Sequence, residues 1–510
     1  MEVSSNMFAV NRPVLLPILL MGLLASTACR DHSPVTSPDM SRESKPSGIK
    51  ELSAGAATRI ITPHLPEAGA DDAATVYMGG LERGQKPTGI HDDLFARALV
   101  VTGVNGQSVG LVVLDLIGFF HDDVEAVRSD LAERHPEVKL DYLTVASTHT
   151  HAGPDVIGLW TPIGHTVDDA YITRIRHEAV EAVAAAWSAR RPSRLYVAQG
   201  SAPQLAKDTR LPELIDDTVM VLGLKDATTN AGIATLVNWN SHPSVCGGEN
   251  TEISADFPRA VVAKMESGWG GRSLYASGDL GGQIGSGRVK IADPLTGKTP
   301  DDRMRKAELL GDRIGSIALE ALTEAAARAA VAEPAVSVHV RALDVPLDNP
   351  RFAEGLGIGL IRPRRVYTKE ADPKEYLPKE LPQGRAIRAG DWNLRTEVAV
   401  VDIGTVRWVM IPGELYPELA LGGIQDPQDP GADYQGAPKE NPLRPMSRLP
   451  LFLINLANDE LGYLIPKSQW DSEPPFAYGR DEPQYGEKNS TGPETAPLIM
   501  KAIEELLSKE

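Results

Sequence analysis

Cysteine is nearly absent from the 510 residues: Cys29 and Cys246 are the only two. That is too few for a disulfide framework or a multi-cysteine metal cluster. Positive charge is in deficit as well. Lys and Arg number 51 against 69 Asp and Glu, a formal charge of −18 with a pI near 5.2. A phosphate backbone is held by a basic face, so nucleic acid is excluded as the main partner. No apolar run reaches the ~20 residues that a membrane-spanning helix needs. No Gly-x-Ser-x-Gly string stands at a strand-to-helix elbow (Gly106–Gly110 falls in a hairpin signal), and no glycine fingerprint opens a βαβ unit, so neither a serine triad nor a nucleotide cofactor is implied. No internal repeat is visible.

Hydrophobic residues at 42% and charged residues at 24% describe a globular protein, and the length allows one large enzyme domain or two smaller ones. Glycine (46) and proline (39) together are about a sixth of the chain, which means many loops, where sites are carried on a scaffold.

The amino terminus reads as an address. Val14–Leu24 is an apolar run of eleven, and Ala25-Ser26-Thr27-Ala28 precede Cys29, the pattern of a secretory signal. Small residues ending at a cysteine resemble the lipobox of bacterial lipoproteins, in which the cysteine is acylated, with Ser26 standing where leucine is usual. Residues 30–54 are polar and rich in Ser and Pro, suited to a tether. The expected organisation is a signal peptide over 1–28, a lipoprotein-like tether over 29–56 and one folded domain over 57–510. The protein is expected to be exported, either anchored to a bacterial membrane through lipidated Cys29 or periplasmic.

Beyond residue 57, β-branched runs alternate with helical patterns. Ala98–Thr102 and Ser108–Leu116 flank an Asn-Gly hairpin signal at Asn105-Gly106. Strands are expected at Tyr142–Ser147, Arg194–Ala198, Thr218–Leu222, Ile233–Trp239, Val336–Val345, Glu397–Val401, Val406–Ile411 and Leu451–Leu456. Helices are expected at Asp122–Arg134, Asp169–Arg190, Asp256–Met265 and Asp302–Ala330. The fold class is α/β, a large mixed β-sheet flanked by helices. The stretches 346–392 and 425–448 read as long loops or insertions, more often lids than filler.

Chemistry-bearing residues collect just past strand ends. His149 and His151 follow the run ending at Ser147, His242 follows Trp239, Glu414 follows Ile411, and Tyr463 follows Leu456. In α/β sheets ligands bind at that edge. Imidazoles with a carboxylate suit Zn²⁺ and leave room for water. His-Thr-His on an extended strand separates the two Cα atoms by about 7 Å, so one ring can bind metal while the other faces substrate; two ordinary loop histidines remain the alternative. His121 and His177 read as solvated helix positions, His135 as a helix stop and Cys246 as a small core or loop residue. His91 either lines a pocket or serves a carboxylate.

With those residues in place, the chain resembles the neutral (non-lysosomal) ceramidases, a family of zinc-dependent amidases. The resemblance rests on Thr148-His149-Thr150-His151-Ala152-Gly153-Pro154, then Asn238–Pro243, Ser277-Gly278-Asp279, Ile411–Glu414 and Leu456–Tyr463, in the family's order. It implies His149, His242, Glu414 and Tyr463 as Zn²⁺ ligands. It implies His151, Arg210 and Tyr485 as catalytic groups that polarise the carbonyl or stabilise its oxyanion, with Lys207 a competing alignment for Arg210. His91 and Asp279 are expected at the substrate. Gly281 stands where the family carries an active-site serine. Ending at Glu510, the chain is expected to be a single catalytic domain without the family's carboxy-terminal immunoglobulin-like domain. The implied reaction is hydrolysis of an N-acyl amide, a ceramide-like lipid or related acyl compound, by metal-activated water. A zinc esterase or lactonase, and a non-catalytic lipid- or glycan-binding lipoprotein, stay open beside it. No protein partner is expected.

Overall fold

Alternation decides the architecture. In the computed structural model, which describes residues 51–65, 76–80, 82–426 and 428–508, the strand Phe95–Thr102 sends Ala96, Ala98 and Val100 to one face and Leu99 and Val101 to the other. Its antiparallel partner Ser108–Leu114 splits likewise. Side chains alternate along a strand, so a strand apolar on both faces has to be covered on both.

Eight strands form the first sheet, mixed in direction, running across it as Arg272–Ser277, Gly232–Trp239, Thr218–Asp226, Arg191–Ser201, Ser53–Ile60, Phe95–Thr102, Ser108–Leu114 and Tyr142–Ser147. Helices Asp169–Ser188, Phe257–Trp269 and Arg303–Ala326 pack against it. A six-stranded sheet built around Trp392–Ile403, Val406–Met410 and Leu451–Ile454 covers the opposite face. Leu99, Val101, Leu111 and Leu222 share one core cluster with Val401, Trp408, Met410 and Phe452 of this second sheet. The helix Thr495–Leu507 packs on the outside of the second sheet. The mixed sheet flanked by helices is thus present, as two stacked sheets with helices outside.

Local signals hold where they were strong. Gly106 takes a positive φ of 83° in the Asn-Gly turn. The helix His121–Arg134 carries Asp122 and Asp123 in its first turn and ends at His135. Other expectations shift. The first strand begins at Ser53, so residues 53–56 belong to the fold and not to a tether. His121 is buried, with Nδ1 against the Asn458 carbonyl, rather than solvated. The stretch 346–392 holds a helix at Pro350–Gly357 and short strands at Val366–Thr368 and Glu375–Tyr376. The strand Arg272–Ser277 and the helix Thr495–Leu507 were not anticipated. The expected signal peptide, Cys29 and most of the expected tether lie outside the described residues. Among the described residues no helix is long and apolar enough to cross a membrane.

Candidate metal centre

The carboxyl ends of the two sheets meet in one place. After Ile454 the chain leaves the second sheet and stitches to the first: Asn455 N–H donates to the Ser277 carbonyl (2.9 Å), Ser147 N–H to the Leu456 carbonyl (3.2 Å), and Asn458 N–H to the Val145 carbonyl (2.7 Å). Asn458 Oδ1 in turn accepts from Val145 N–H (3.0 Å). Leu456 and Asn458 need positive φ of 52° and 65° to do this. The stitch brings loops that follow Ser147, Trp239, Met410 and Ile454 to a common point.

Two short parallel segments, Glu414–Leu415 and Tyr463–Leu464, then set a register in which Glu414 is paired with Tyr463. Gly413 and Gly462 permit the approach: a Cβ on Gly413 would fall 2.6 Å from the Gly462 carbonyl oxygen, and one on Gly462 would fall 1.6 Å from that of Asn489.

His149, His151, His242, Glu414 and Tyr463 converge there. The ring centroids of His149 stand 4.8 Å from those of both His151 and His242, and one nitrogen of each of the three rings lies within 4.8 Å of the others. His149 sits at φ 67°, left-handed for a non-glycine residue, a conformation that costs free energy and tends to occur at functional sites. That kink, rather than an extended strand, is what turns the two rings of His-Thr-His toward one point. Glu414 Oε2 is 2.8 Å from His242 Nε2 and 3.3 Å from His149 Nε2. The Tyr463 hydroxyl is 3.3 Å from His242 Nε2.

Proton placement says what this cluster lacks. His149 Nδ1 meets the Ile117 carbonyl and His151 Nδ1 meets that of Gly80 at 2.8 Å. A carbonyl only accepts, so each Nδ1 carries the proton, and in the neutral ring each Nε2 is a bare lone pair. His151 Nε2 is buried without a hydrogen-bond partner, and Glu414 Oε2, although close to the His242 and His149 Nε2 atoms, makes no aligned hydrogen bond. Lone pairs and a carboxylate oxygen facing one another are repulsive unless a cation lies among them, and a backbone carbonyl on the far nitrogen is the usual orienter of a metal-binding imidazole. The donor set fits a divalent ion such as Zn²⁺.

Electrostatics agree. Burial, then the neighbouring His149 and His242, press the His151 imidazole well below its usual range. Burial is the largest influence on His242 and lowers it too, although Glu414 opposes. For Glu414 burial works upward, but His149 and His242 outweigh it and hold the carboxyl low. Burial first, then Glu414, push the Tyr463 hydroxyl well above its usual range.

The centre opens into a cavity of about 260 Å³ walled by Ile117, Phe120, Trp160, Phe352, Leu360 and Ile361. Phe352, Leu360 and Ile361 come from the 346–392 stretch expected to be a lid. Tyr485 stands at the mouth, half-exposed, its ring centroid 5.7 Å from that of Tyr463 and its hydroxyl accepting from Asn489 Nδ2 at 2.9 Å.

Three expected site residues lie elsewhere. Arg210 is buried with its guanidinium turned to Glu487 in a two-point pair (2.6 and 3.0 Å), to the Gln469 carbonyl (2.6 Å) and to the Tyr485 carbonyl (3.1 Å). Its donors are committed there, and the residue supports the Tyr485 loop from behind. His91 is exposed and paired with Asp92 at 2.8 Å, away from the cavity wall. Asp279 is buried between Asp216 and Arg444, its carboxyl pushed up by burial and then by Asp216. Gly281 has no room for a side chain: its Cβ would fall 2.6 Å from the Leu415 carbonyl oxygen and 2.8 Å from that of Glu414.

Sequence reasoning missed Glu460. It lines the cavity, accepts from Gly462 N–H at 2.9 Å, and burial followed by Glu414 pushes its carboxyl well up. The available signal was a carboxylate three residues before Tyr463 on the same tight loop.

No protein-family model matches the chain, and no curated protein matches its sequence. Solved structures do. The neutral ceramidase from Pseudomonas aeruginosa aligns with a TM-score of 0.60 over 90% of this chain and 74% of that one, at 17% sequence identity. A ceramidase described as complexed with C2 aligns with a TM-score of 0.61 over 90% and 75%, also at 17%. The fold of this chain is therefore ceramidase-like.

Proposed function

We propose that the protein is a Zn²⁺-dependent hydrolase cleaving the amide bond of an N-acyl substrate, a ceramide-like lipid or a related acyl amide. The observation that carries the reading is the convergence of His149, His242, Glu414 and Tyr463 around buried lone pairs that have no partner of their own. These four would hold the ion. When bound it supplies Lewis acidity, polarising a carbonyl oxygen and making water more acidic.

The chain's own groups do the rest. His151 is half-buried and borders the cavity. With its proton fixed on Nδ1 by Gly80, Nε2 is an acceptor, so its part is to take the proton of the attacking water. It does not donate to an oxyanion, the role the sequence resemblance implied. Donation falls to the Tyr485 hydroxyl, whose oxygen already accepts from Asn489 and whose proton is free to meet a developing negative oxygen. Arg210 positions Tyr485 through its main-chain carbonyl and through Glu487. The apolar wall of the cavity, formed by Ile117, Phe120, Trp160, Phe352, Leu360 and Ile361, suits an acyl chain. Export and lipidation of Cys29 belong to the same proposal, and loss of the protein from the membrane fraction in Cys29→Ala checks them.

The test is release of dodecanoate from matched dodecanoyl amides and esters by the purified protein, before and after chelation. Release from amides that stops on chelation and returns with Zn²⁺ is expected. Full rate in metal-free protein, or no release from any amide, overturns the reading; turnover of esters alone converts it to an esterase.

A further inference from the structure

His151 and Tyr485 border two spaces. On one side is the cavity, whose wall is mainly apolar although Arg83, Arg351 and Lys488 also line it; on the other is an open groove of about 590 Å³. The groove carries the Thr209 and Ser244 hydroxyls, the Gln484 amide and stretches of bare glycine backbone. It also carries Arg288, Arg303 and Arg480, all exposed, and no acidic residue. None of the three guanidiniums has a carboxylate within 4.0 Å among the described residues. Among the described residues Arg303 donates to the Val245 carbonyl (3.5 Å) and Arg480 to that of Glu482 (3.3 Å).

In a chain of net charge −18, three arginines lining one groove that carries no acidic residue make a local positive field. The backbone is shaped to it. Gly247, at φ 75°, lies directly under Arg303, where a Cβ would stand 2.4 Å from a guanidinium nitrogen. Behind the wall Lys306 donates to the Gly287 carbonyl at 2.7 Å, and burial followed by Arg303 presses its ammonium down. Guanidinium groups bind carboxylate and phosphate through paired donors, and hydroxyls and backbone N–H groups complete such a cradle.

Building on the proposed hydrolase, we infer that this groove binds an anionic group, carboxylate or phosphate, on the amine half of the substrate. The acyl half lies in the apolar cavity, and the scissile bond lies between them at His151 and Tyr485. The preferred substrate class is an N-acyl compound with an acidic headgroup rather than a neutral one. Arg288, Arg303 and Arg480 are its specificity determinants.

Three substrates sharing one acyl chain test this: N-dodecanoylethanolamine (neutral), N-dodecanoylglycine (carboxylate) and N-dodecanoyl-aminoethyl phosphate. The wild type is expected to favour an acidic substrate over the neutral one by about tenfold or more in kcat/KM, carried by KM. Whichever acid is favoured names the headgroup. Replacing Arg288, Arg303 and Arg480 together by Gln should erase the preference while the neutral substrate keeps its rate, which also shows that the variant is folded. Equal rates on all three substrates, or an equal fall for neutral and acidic ones, overturn the inference. A second arm, calorimetric binding of N-dodecanoylglycine to EDTA-treated protein, separates the two claims. Binding that weakens about tenfold in the triple variant, with no fatty acid release from any substrate by the Zn²⁺-loaded wild type, sinks the hydrolase and leaves the groove standing. Hydrolysis without any acidic preference in rate or binding does the reverse.

Discussion

At the residue scale, the chemistry of the centre depends on where protons sit, and backbone carbonyls set that. Gly80 shows how tightly. Its carbonyl fixes the His151 tautomer, and a Cβ on it would fall 2.7 Å from the Cβ and two ring atoms of His151 at a φ of 111°. Gly80→Ala should tilt His151 while leaving the ligands untouched, so bound metal is retained and hydrolysis falls about 10–100-fold, the usual effect of disturbing an orienting partner. Metal content and rate measured on one preparation check this, and an unchanged rate contradicts the role given to His151. That His149, His242, Glu414 and Tyr463 gather at one edge was legible because each follows an apolar run; choosing these four as ligands came from the family resemblance. The tautomers were not, since Gly80 and Ile117 are separated from the histidines by 71 and 32 residues. Gly281 makes the same point in reverse: in the chain it reads as a lost serine, whereas in space it is a backbone contact beneath Leu415.

At the element scale, what holds the cavity is a buried ion network on the helix His121–Arg134. Asp123 pairs with Arg176 and Arg362. Arg362 also donates from Nε to the Val156 carbonyl (2.8 Å) and from its backbone N–H to that of Ile157 (2.7 Å), fastening the segment that supplies Leu360 and Ile361. Burial works upward on the Asp123 carboxyl, but Arg362 and then Arg176 prevail and hold it below its ordinary 3.8. A carboxyl whose folded value is depressed adds stability above its unfolded value, and that stability is lost as pH falls through the folded one. Asp123→Asn should cost about 3 kcal/mol near neutrality, as breaking a buried pair does. The gap between variant and wild type should close as pH drops below 3.8. Denaturant melts across that window check it, and a gap that does not change with pH contradicts it. Asp122-Asp123 was legible as a helix start. The second duty of Asp123 was not, because its partners come from elements 53 and 239 residues away.

At the scale of the whole molecule, the two stacked sheets make the site. Periodicity revealed most strands, and with them an α/β class. It did not reveal that they sort into two sheets, because a strand's partners are chosen by long-range contacts: Ser53–Ile60 pairs with segments ending at Thr102 and Ser201. The structural match, with a TM-score of 0.60 at 17% identity, bears out the fold that the motif order implied. The scaffold is shared with the solved ceramidases, while the groove lined by Arg288, Arg303 and Arg480 is a property read from this chain. The account stands on one claim, that the lone pairs at the junction of the two sheets hold a metal ion. The metal-to-protein ratio after equilibration with Zn²⁺ and removal of free ion tests it most directly. One equivalent per chain in the wild type, lost in a folded His149→Ala variant, is the expected result; a wild type that retains no metal, or a variant that keeps a full equivalent, contradicts it.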